Sequence, residues 1–314
     1  MTEEALRYVF DQCIEAYNRK IVRQFTMIIS GGEPLLEFKM FSEVLPYYIE
    51  NYQHIFRFGM TTNITILNEE IIDWFKKYKL QLACSIDSLI FSKPVDGISS
   101  SKLQLMNVKM LKEAGIEAHV LSVYHSQTDN EMMEFAKYAV KNFAHWKIML
   151  CKPPMHSKDQ ILKMVKPIIK FLYDNNYHRN FDLDSWFFWD KRMAGRTACC
   201  CGRHLFGISP DLIVCPNNEV PFINLGNFTY DIQSFIDHPD NIYYKNDWRP
   251  RICDNCELKH LCDGACRLGH KNIDLFKDRC DAIKEILTYI NSFDQSGDVI
   301  WKPTIQNNYS HSRT

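Results

Sequence analysis

The chain has 314 residues, 46% of them apolar, enough for a sizeable core and too apolar for wholesale disorder. Lys plus Arg is 37 against 38 Asp plus Glu, a net charge of −1, so no global field draws nucleic acid or an anionic membrane. Apolar runs reach roughly six residues, far short of a membrane span, and the start, Met1-Thr2-Glu3-Glu4, has no export-signal character. A cytoplasmic protein with reduced thiols is therefore expected.

The first part of the chain alternates. Residues 2–17 carry a helical pattern, with Thr2 as cap and apolar residues at Leu6, Val9, Phe10, Cys13, Ile14 and Tyr17. Residues 25–30 read as a short buried strand ending in Gly31-Gly32. Helical patterns follow at 38–52 and 68–78, strands at 55–60 and 80–86. A helix over 101–114 is closed by Gly115. Then come a strand at 117–123, a helix at 128–143, a strand at 146–151 and a helix at 157–173. This is a repeated strand–helix unit of roughly 25–35 residues, with five countable strands, the pattern of a parallel α/β sheet. Ligands of such sheets sit at the C-terminal strand ends.

Those ends carry polar and glycine residues. The first is followed by Gly31-Gly32-Glu33-Pro34, the second by Thr62-Asn63, the third by Ser85-Ile86-Asp87. Two glycines let a backbone approach a ligand closely, Pro34 stiffens the exit, and Glu33 offers a carboxylate to an ammonium. A tight strand-to-helix turn is the other reading of the same run.

Cysteine is the unusual residue. There are 12, and nine fall between residues 199 and 280: Cys199, Cys200, Cys201, Cys215, Cys253, Cys256, Cys262, Cys266 and Cys280. Thiolates two and three residues apart can share a metal centre, and nine suffice for two four-Cys sites. Spacing alone leaves zinc and iron–sulfur both open. Cys13, Cys84 and Cys151 sit in apolar patterns and read as small core residues. The His show no HxxxH or HExxH and read as surface or core. Arg251, Lys259, His260, Arg267, His270 and Lys271 surround the Cys run, where cations raise the potential of an anionic cluster or simply form a solvated face.

Taken together, these motifs resemble the radical S-adenosylmethionine (SAM) superfamily, in its branch with a C-terminal SPASM domain. That branch includes peptide maturases and anaerobic sulfatase-maturing enzymes. The resemblance covers nearly all of residues 1–285. It implies an α/β fold, a partial (β/α)6 barrel lacking its first strand, over residues 1–194. A Cys-rich SPASM iron–sulfur module follows over 195–290, then a polar tail over 291–314 that holds Trp301. A final amphipathic helix is expected over 277–290.

By the same resemblance, Gly31, Gly32, Glu33, Pro34, Asn63, Ser85 and Asp87 bind SAM. The spacing Cys253-x2-Cys256-x5-Cys262-x3-Cys266-x13-Cys280 matches the SPASM signature. Two auxiliary [4Fe-4S] clusters are implied. Cys253, Cys256, Cys262 and Cys280 hold the distal one. Cys266 and Cys215, with Cys201 or with Cys199 and Cys201, hold the nearer one. The implied reaction is cleavage of SAM by a third, reduced cluster to a 5′-deoxyadenosyl radical, which takes a hydrogen from a peptide or protein substrate. A reductant such as a ferredoxin or flavodoxin supplies the electron.

The chain also departs from the family. Ile64 and Ser88 stand where the family has Gly after Thr-Asn and Ser-x-Asp. Pro210 replaces a Gly five residues before Cys215, and Pro216 replaces the catalytic Asp of sulfatase-maturing enzymes. No Arg lies between Ser85 and Leu111 to pair the SAM carboxylate. Peptide maturation is therefore expected over sulfatase maturation, with no catalytic base assigned. No CxxxCxxC, the loop that binds the SAM cluster, occurs in the 314 residues, so weak SAM binding is expected from them alone. The intact remaining motifs favour an upstream segment over a degenerate homologue. The alternative function is a non-catalytic iron–sulfur protein that binds a peptide or passes electrons.

Overall fold

The computed structural model describes residues 1–89, 94–95, 98–124, 131–150, 156–183, 201–202, 204–217, 221–241 and 273–293. Helix α1 (Glu3–Asn18) is followed by β1 (Phe25–Ile29), a 3-10 turn (Pro34–Glu37), α2 (Phe38–Asn51), β2 (Phe56–Thr62), α3 (Glu69–Tyr78) and β3 (Gln81–Ser85). A short hairpin, β4 (Pro94–Val95) with β5 (Ile98–Ser99), precedes α4 (Ser100–Glu113), β6 (Ala118–Tyr124), α5 (Met132–Asn142), β7 (His145–Leu150), α6 (Lys158–Asp174) and β8 (Phe181–Leu183). The remaining elements are β9 (Gly207–Ile208), β10 (Val214–Cys215), α7 (Ile232–Asp237) and α8 (Ile273–Asn291).

Six strands form one sheet in the order β1-β2-β3-β6-β7-β8. The pairs β1–β2, β6–β7 and β7–β8 are parallel, with Phe25 opposite Phe56, Val120 opposite Trp146, and Trp146 opposite Phe181. The class is α/β, as the strand–helix alternation predicts. Two compact units divide the chain within β3. One comprises Met1–Ala83, Ala114–Ile116 and Cys199–Arg251; the other comprises Cys84–Glu113, Glu117–Ala198 and Ile252–Thr314.

In the first unit, Thr2 caps α1 by accepting from the Ala5 N–H at 3.2 Å. Phe10 of α1 stacks on Tyr48 of α2 with ring centroids 4.3 Å apart, and meets Phe56 of β2 edge-on at 5.3 Å. The same helix carries a later stretch of chain. The Tyr8 hydroxyl donates to the Phe228 carbonyl (3.2 Å), and the Tyr230 N–H donates to Gln12 Oε1 (3.0 Å). The Arg19 guanidinium lies 4.1 Å from the centre of the Tyr230 ring.

In the second unit, a row of rings runs Phe135–Trp146–Phe181, each pair at 5.2 Å. Ser157 and Gln160 form a reciprocal capping box at the start of α6. Glu285 of α8 pairs with Lys158 at 3.0 Å and with Lys166, both on α6. Among the described residues, no helix is long and apolar enough to cross a membrane.

Three expectations change. The sheet has a sixth strand, β8, whose three residues are too few to show an alternation. Strand β1 is half-buried and exposed in turn rather than buried; among the described residues it ends the strand order and pairs with β2 alone. The final helix extends over Ile273–Asn291, beyond the expected span at both ends. Cys151, Trp301 and the polar tail lie outside the described residues.

A buried polar link ties β6 to its neighbours in the second unit. The Ser122 hydroxyl donates to the Ile86 carbonyl (2.5 Å) and accepts from Trp146 Nε1–H (3.0 Å). Ser122→Ala removes both bonds and leaves a buried indole N–H without its acceptor. The expected loss is about 1–3 kcal/mol of stability, read as a lower urea midpoint. An unchanged midpoint would mean that the link carries no net stability.

Candidate cofactor sites

The exit of β1 is built around one carboxylate. Glu33 is extended (φ −141°) and caps the 3-10 turn. Its Oε1 accepts from the Leu35 N–H (3.0 Å) and the Thr62 hydroxyl (2.5 Å), and its Oε2 accepts from the Asn63 N–H (2.7 Å). An ionised carboxylate has about four acceptor positions, and three are engaged. Glu33 therefore fastens the β1 exit to the β2 exit, beyond the ligand-facing role that the sequence suggests.

The two glycines before it differ in kind. Gly31 has φ +152°, which favours glycine. Gly32 has no such φ, and a Cβ built on either meets nothing within 4 Å. Among the described residues, none packs where a Gly32 side chain would lie.

Beyond β2 the chain turns sharply. Asn63 Oδ1 accepts from both the backbone N–H (2.9 Å) and hydroxyl (2.7 Å) of Thr65, and Thr62 Oγ1 accepts from the Ile64 N–H (2.9 Å). Ile64 sits at φ +52° and is 0% exposed. A β-branched residue there is strained by about 1–3 kcal/mol, which explains why a glycine suits this position. Burial of the side chain, worth about 1.5–3 kcal/mol, offsets that cost.

Ser85 and Asp87 belong to the second unit's strand end. The Ser85 carbonyl accepts from Gln104 Nε2 (2.9 Å), and Asp87 Oδ1 accepts from the Val123 N–H (2.8 Å). Ser88 is buried, and its hydroxyl donates to Glu131 Oε2 (2.5 Å), which also accepts from the Leu89 N–H (3.2 Å). The serine thus adds a tie that glycine lacks.

The cysteines fall into two groups. Cys13 and Cys84 are buried, and burial pushes the Cys13 thiol far above its usual range, as befits an inert core residue. Cys201 and Cys215 lie in the other group, Cys215 itself on β10 of a short antiparallel hairpin with β9. Its turn closes with the Leu212 N–H on the Ser209 carbonyl (3.0 Å), so Pro210 occupies the turn position that suits proline. The left-handed position passes to Leu212 (φ +63°).

Burial raises the Cys215 thiol, while hydrogen bonds involving Asn217 and Gly207 counter it. Asn217 Nδ2 donates to Cys201 Sγ at 3.2 Å. The next residue, Gly202, has φ +70°, and a Cβ on it would lie 2.2 Å from Asn241 Oδ1. Asn241 is 1% exposed and donates to the carbonyls of Gly202 (2.7 Å) and Phe235 (2.8 Å). The Cys201-Gly202 turn is therefore fixed from behind, and two soft sulfur donors flank one asparagine. That donor set fits a thiolate-ligated metal centre.

Cys280 lies on α8, partly exposed. Cys199, Cys253, Cys256, Cys262 and Cys266 lie outside the described residues. Among the described residues no group of three or more metal-binding side chains assembles. Asn217, Asn241 and Glu131 escaped the sequence reading. The only hint was the position of Asn217, two residues after a candidate ligand.

The radical SAM superfamily model matches residues 5–139. This part of the chain belongs to the radical SAM superfamily. The radical SAM cyclopropyl synthase TigE of Paramaledivibacter caminithermalis is 24% identical over 286 residues, which is 84% of this chain and 58% of TigE. The uncharacterized protein MJ0907 of Methanocaldococcus jannaschii is 27% identical over 129 residues, 40% of this chain and 45% of that protein. The chain thus spans about half the length of the curated relatives it matches.

Among solved structures, anSMEcpe with bound AdoMet superposes with a TM-score of 0.71 at 18% identity, covering 90% of this chain and 87% of that one. SuiB of Streptococcus suis bound to S-adenosylmethionine gives 0.58 at 14% identity, covering 85% and 67%. The fold is the radical SAM fold.

The Glu33 carboxylate has a structural part that needs no ligand. Glu33→Gln replaces one acceptor oxygen with an N–H2 group, which meets the Leu35 N–H or the Asn63 N–H as donor against donor. Stability without ligand should fall by about 1–3 kcal/mol, seen as a lower thermal or urea midpoint. A carboxylate serving only the ligand would leave that midpoint unchanged.

Proposed function

We propose that the chain is a radical SAM protein with a SPASM-type module of two auxiliary [4Fe-4S] clusters, acting in maturation of a peptide or protein. The observation that carries this reading is the cysteine set, joined in one chain to a radical SAM fold. Cys253, Cys256, Cys262 and Cys280 would hold the distal cluster. Cys215 and Cys266, with Cys201 or with Cys199 and Cys201, would hold the nearer one. SAM, if held by a third, reduced cluster, would supply the 5′-deoxyadenosyl radical that takes a hydrogen from the substrate.

The chain's own part at the SAM site is binding. Gly31 and Gly32 leave the backbone open to a ligand, and Glu33 holds the exit in shape. Asn63, Ser85 and Asp87 complete the expected set. A peptide substrate is supported by two neighbours of the same fold: anSMEcpe is known with bound Cp18Cys peptide, and SuiB with its precursor peptide SuiA. A low-potential ferredoxin or flavodoxin is the expected reductant, in the cytoplasm.

The division of cysteines into ligands and core gives the test. Cys256→Ala should remove the iron of one cluster after anaerobic reconstitution, about half the total. Cys84→Ala should leave iron unchanged. Equal loss in both variants would break the assignment.

The second reading, a non-catalytic iron–sulfur protein, is favoured by one sequence fact: the 314 residues hold no CxxxCxxC. Without those cysteines no iron meets the amino and carboxylate groups of SAM. The dithionite-reduced chain should therefore form no 5′-deoxyadenosine above a SAM-only control. Joining a segment that carries CxxxCxxC should start its formation if the chain is of the catalytic kind. Continued silence would favour the second reading, and product from the 314 residues alone would refute both expectations.

A further inference from the structure

One proposed ligand of the nearer cluster has a side-chain partner from the segment of another. Asn217, two residues beyond Cys215, donates from Nδ2 to Cys201 Sγ at 3.2 Å. A metal-bound sulfur has no proton to give, so a partner to it must be a donor. The Asn side chain satisfies this with its N–H2 group.

We propose that Asn217 is a positioning residue for the nearer cluster, holding Cys201 by an N–H···S bond and raising the cluster's reduction potential through it. The inference rests on the iron–sulfur reading above.

The physical argument has two parts. An N–H aimed at a thiolate draws electron density from it, and it stabilises the reduced, more negative cluster more than the oxidised one. It also fixes where the sulfur points. The rest of the Cys201 turn is already rigid. The Gly202 N–H donates to the carbonyls of Leu205 (2.9 Å) and Pro216 (3.0 Å), while Asn241 holds the Gly202 carbonyl. Pro216 thus joins the Cys201 turn to the segment of Cys215 and Asn217. With its backbone anchored there, Asn217 presents its side chain to Cys201.

The test is a dithionite redox titration of the reconstituted chain, followed by EPR of each reduced cluster. Asn217→Leu is close in size but has no side-chain donor. Asn217→Asp puts an anion in the same place. Both should keep their iron. At a fixed potential, the reduced-to-oxidised ratio of one cluster should fall about tenfold in Asn217→Leu, as expected for one hydrogen bond to a charged group. For a one-electron couple that is about 59 mV. It should fall further in Asn217→Asp, while the other cluster stays unchanged as an internal control.

Iron retained with both potentials unmoved would overturn the inference alone. If Asn217→Leu fails to load the cluster, Asn217→Gln and Asn217→Ser retain a donor and decide the matter. Recovery of iron in either supports the proposal, and equal loss in both overturns it. Zinc in place of iron in the wild-type chain would end the iron–sulfur reading and this inference with it.

Discussion

Three donors converge on the Glu33 carboxylate, and the geometry of the β1 and β2 exits depends on that convergence. The Leu35 N–H comes from the turn that follows Glu33 itself, while the Thr62 hydroxyl and Asn63 N–H come from the neighbouring strand. Each bond to an ionised acceptor is worth more than a neutral one, about 1.5–3 kcal/mol. Glu33 can therefore help to sustain the strained backbone next door, where Ile64 takes a left-handed conformation. The same fixed exit leaves Gly31 and Gly32 with open space above their Cα atoms. A rigid frame and an uncovered backbone are what a ligand-binding strand end needs.

The Cys-rich part follows a different logic. Two asparagines order the chain around Cys201. Asn241 is nearly fully buried and donates to backbone carbonyls around Gly202, whose lack of a Cβ makes room for it. Asn217 does the same work for sulfur. Packing of Phe228 and Tyr230 along α1 anchors this segment through the hydroxyl of Tyr8 and the amide of Gln12.

Much of the fold was legible in the chain. Helix α6 announces itself by Ser157 and Gln160 at its start and a long apolar stripe, and α1 by Thr2. Strand β8 was not legible, because three residues carry no period. The half-exposure of β1 was also hidden, since an apolar run does not say whether a strand has one neighbour or two. At the site, Gly-Gly-Glu-Pro could be read as a strand exit, but the partners of Glu33 could not. Those partners lie 29 and 30 positions away in the chain, and only the parallel pairing of β1 with β2 brings them near. Ile64 looked like a lapse from a glycine motif, and its burial shows what compensates for it.

The central claim is that the cysteines outside the core bind two iron–sulfur clusters. Iron, acid-labile sulfide and zinc, measured per chain after anaerobic reconstitution, test it most directly. About eight iron and eight sulfide per chain are expected, four of each for every four-Cys cluster. Stoichiometric zinc with little iron or sulfide would contradict the account.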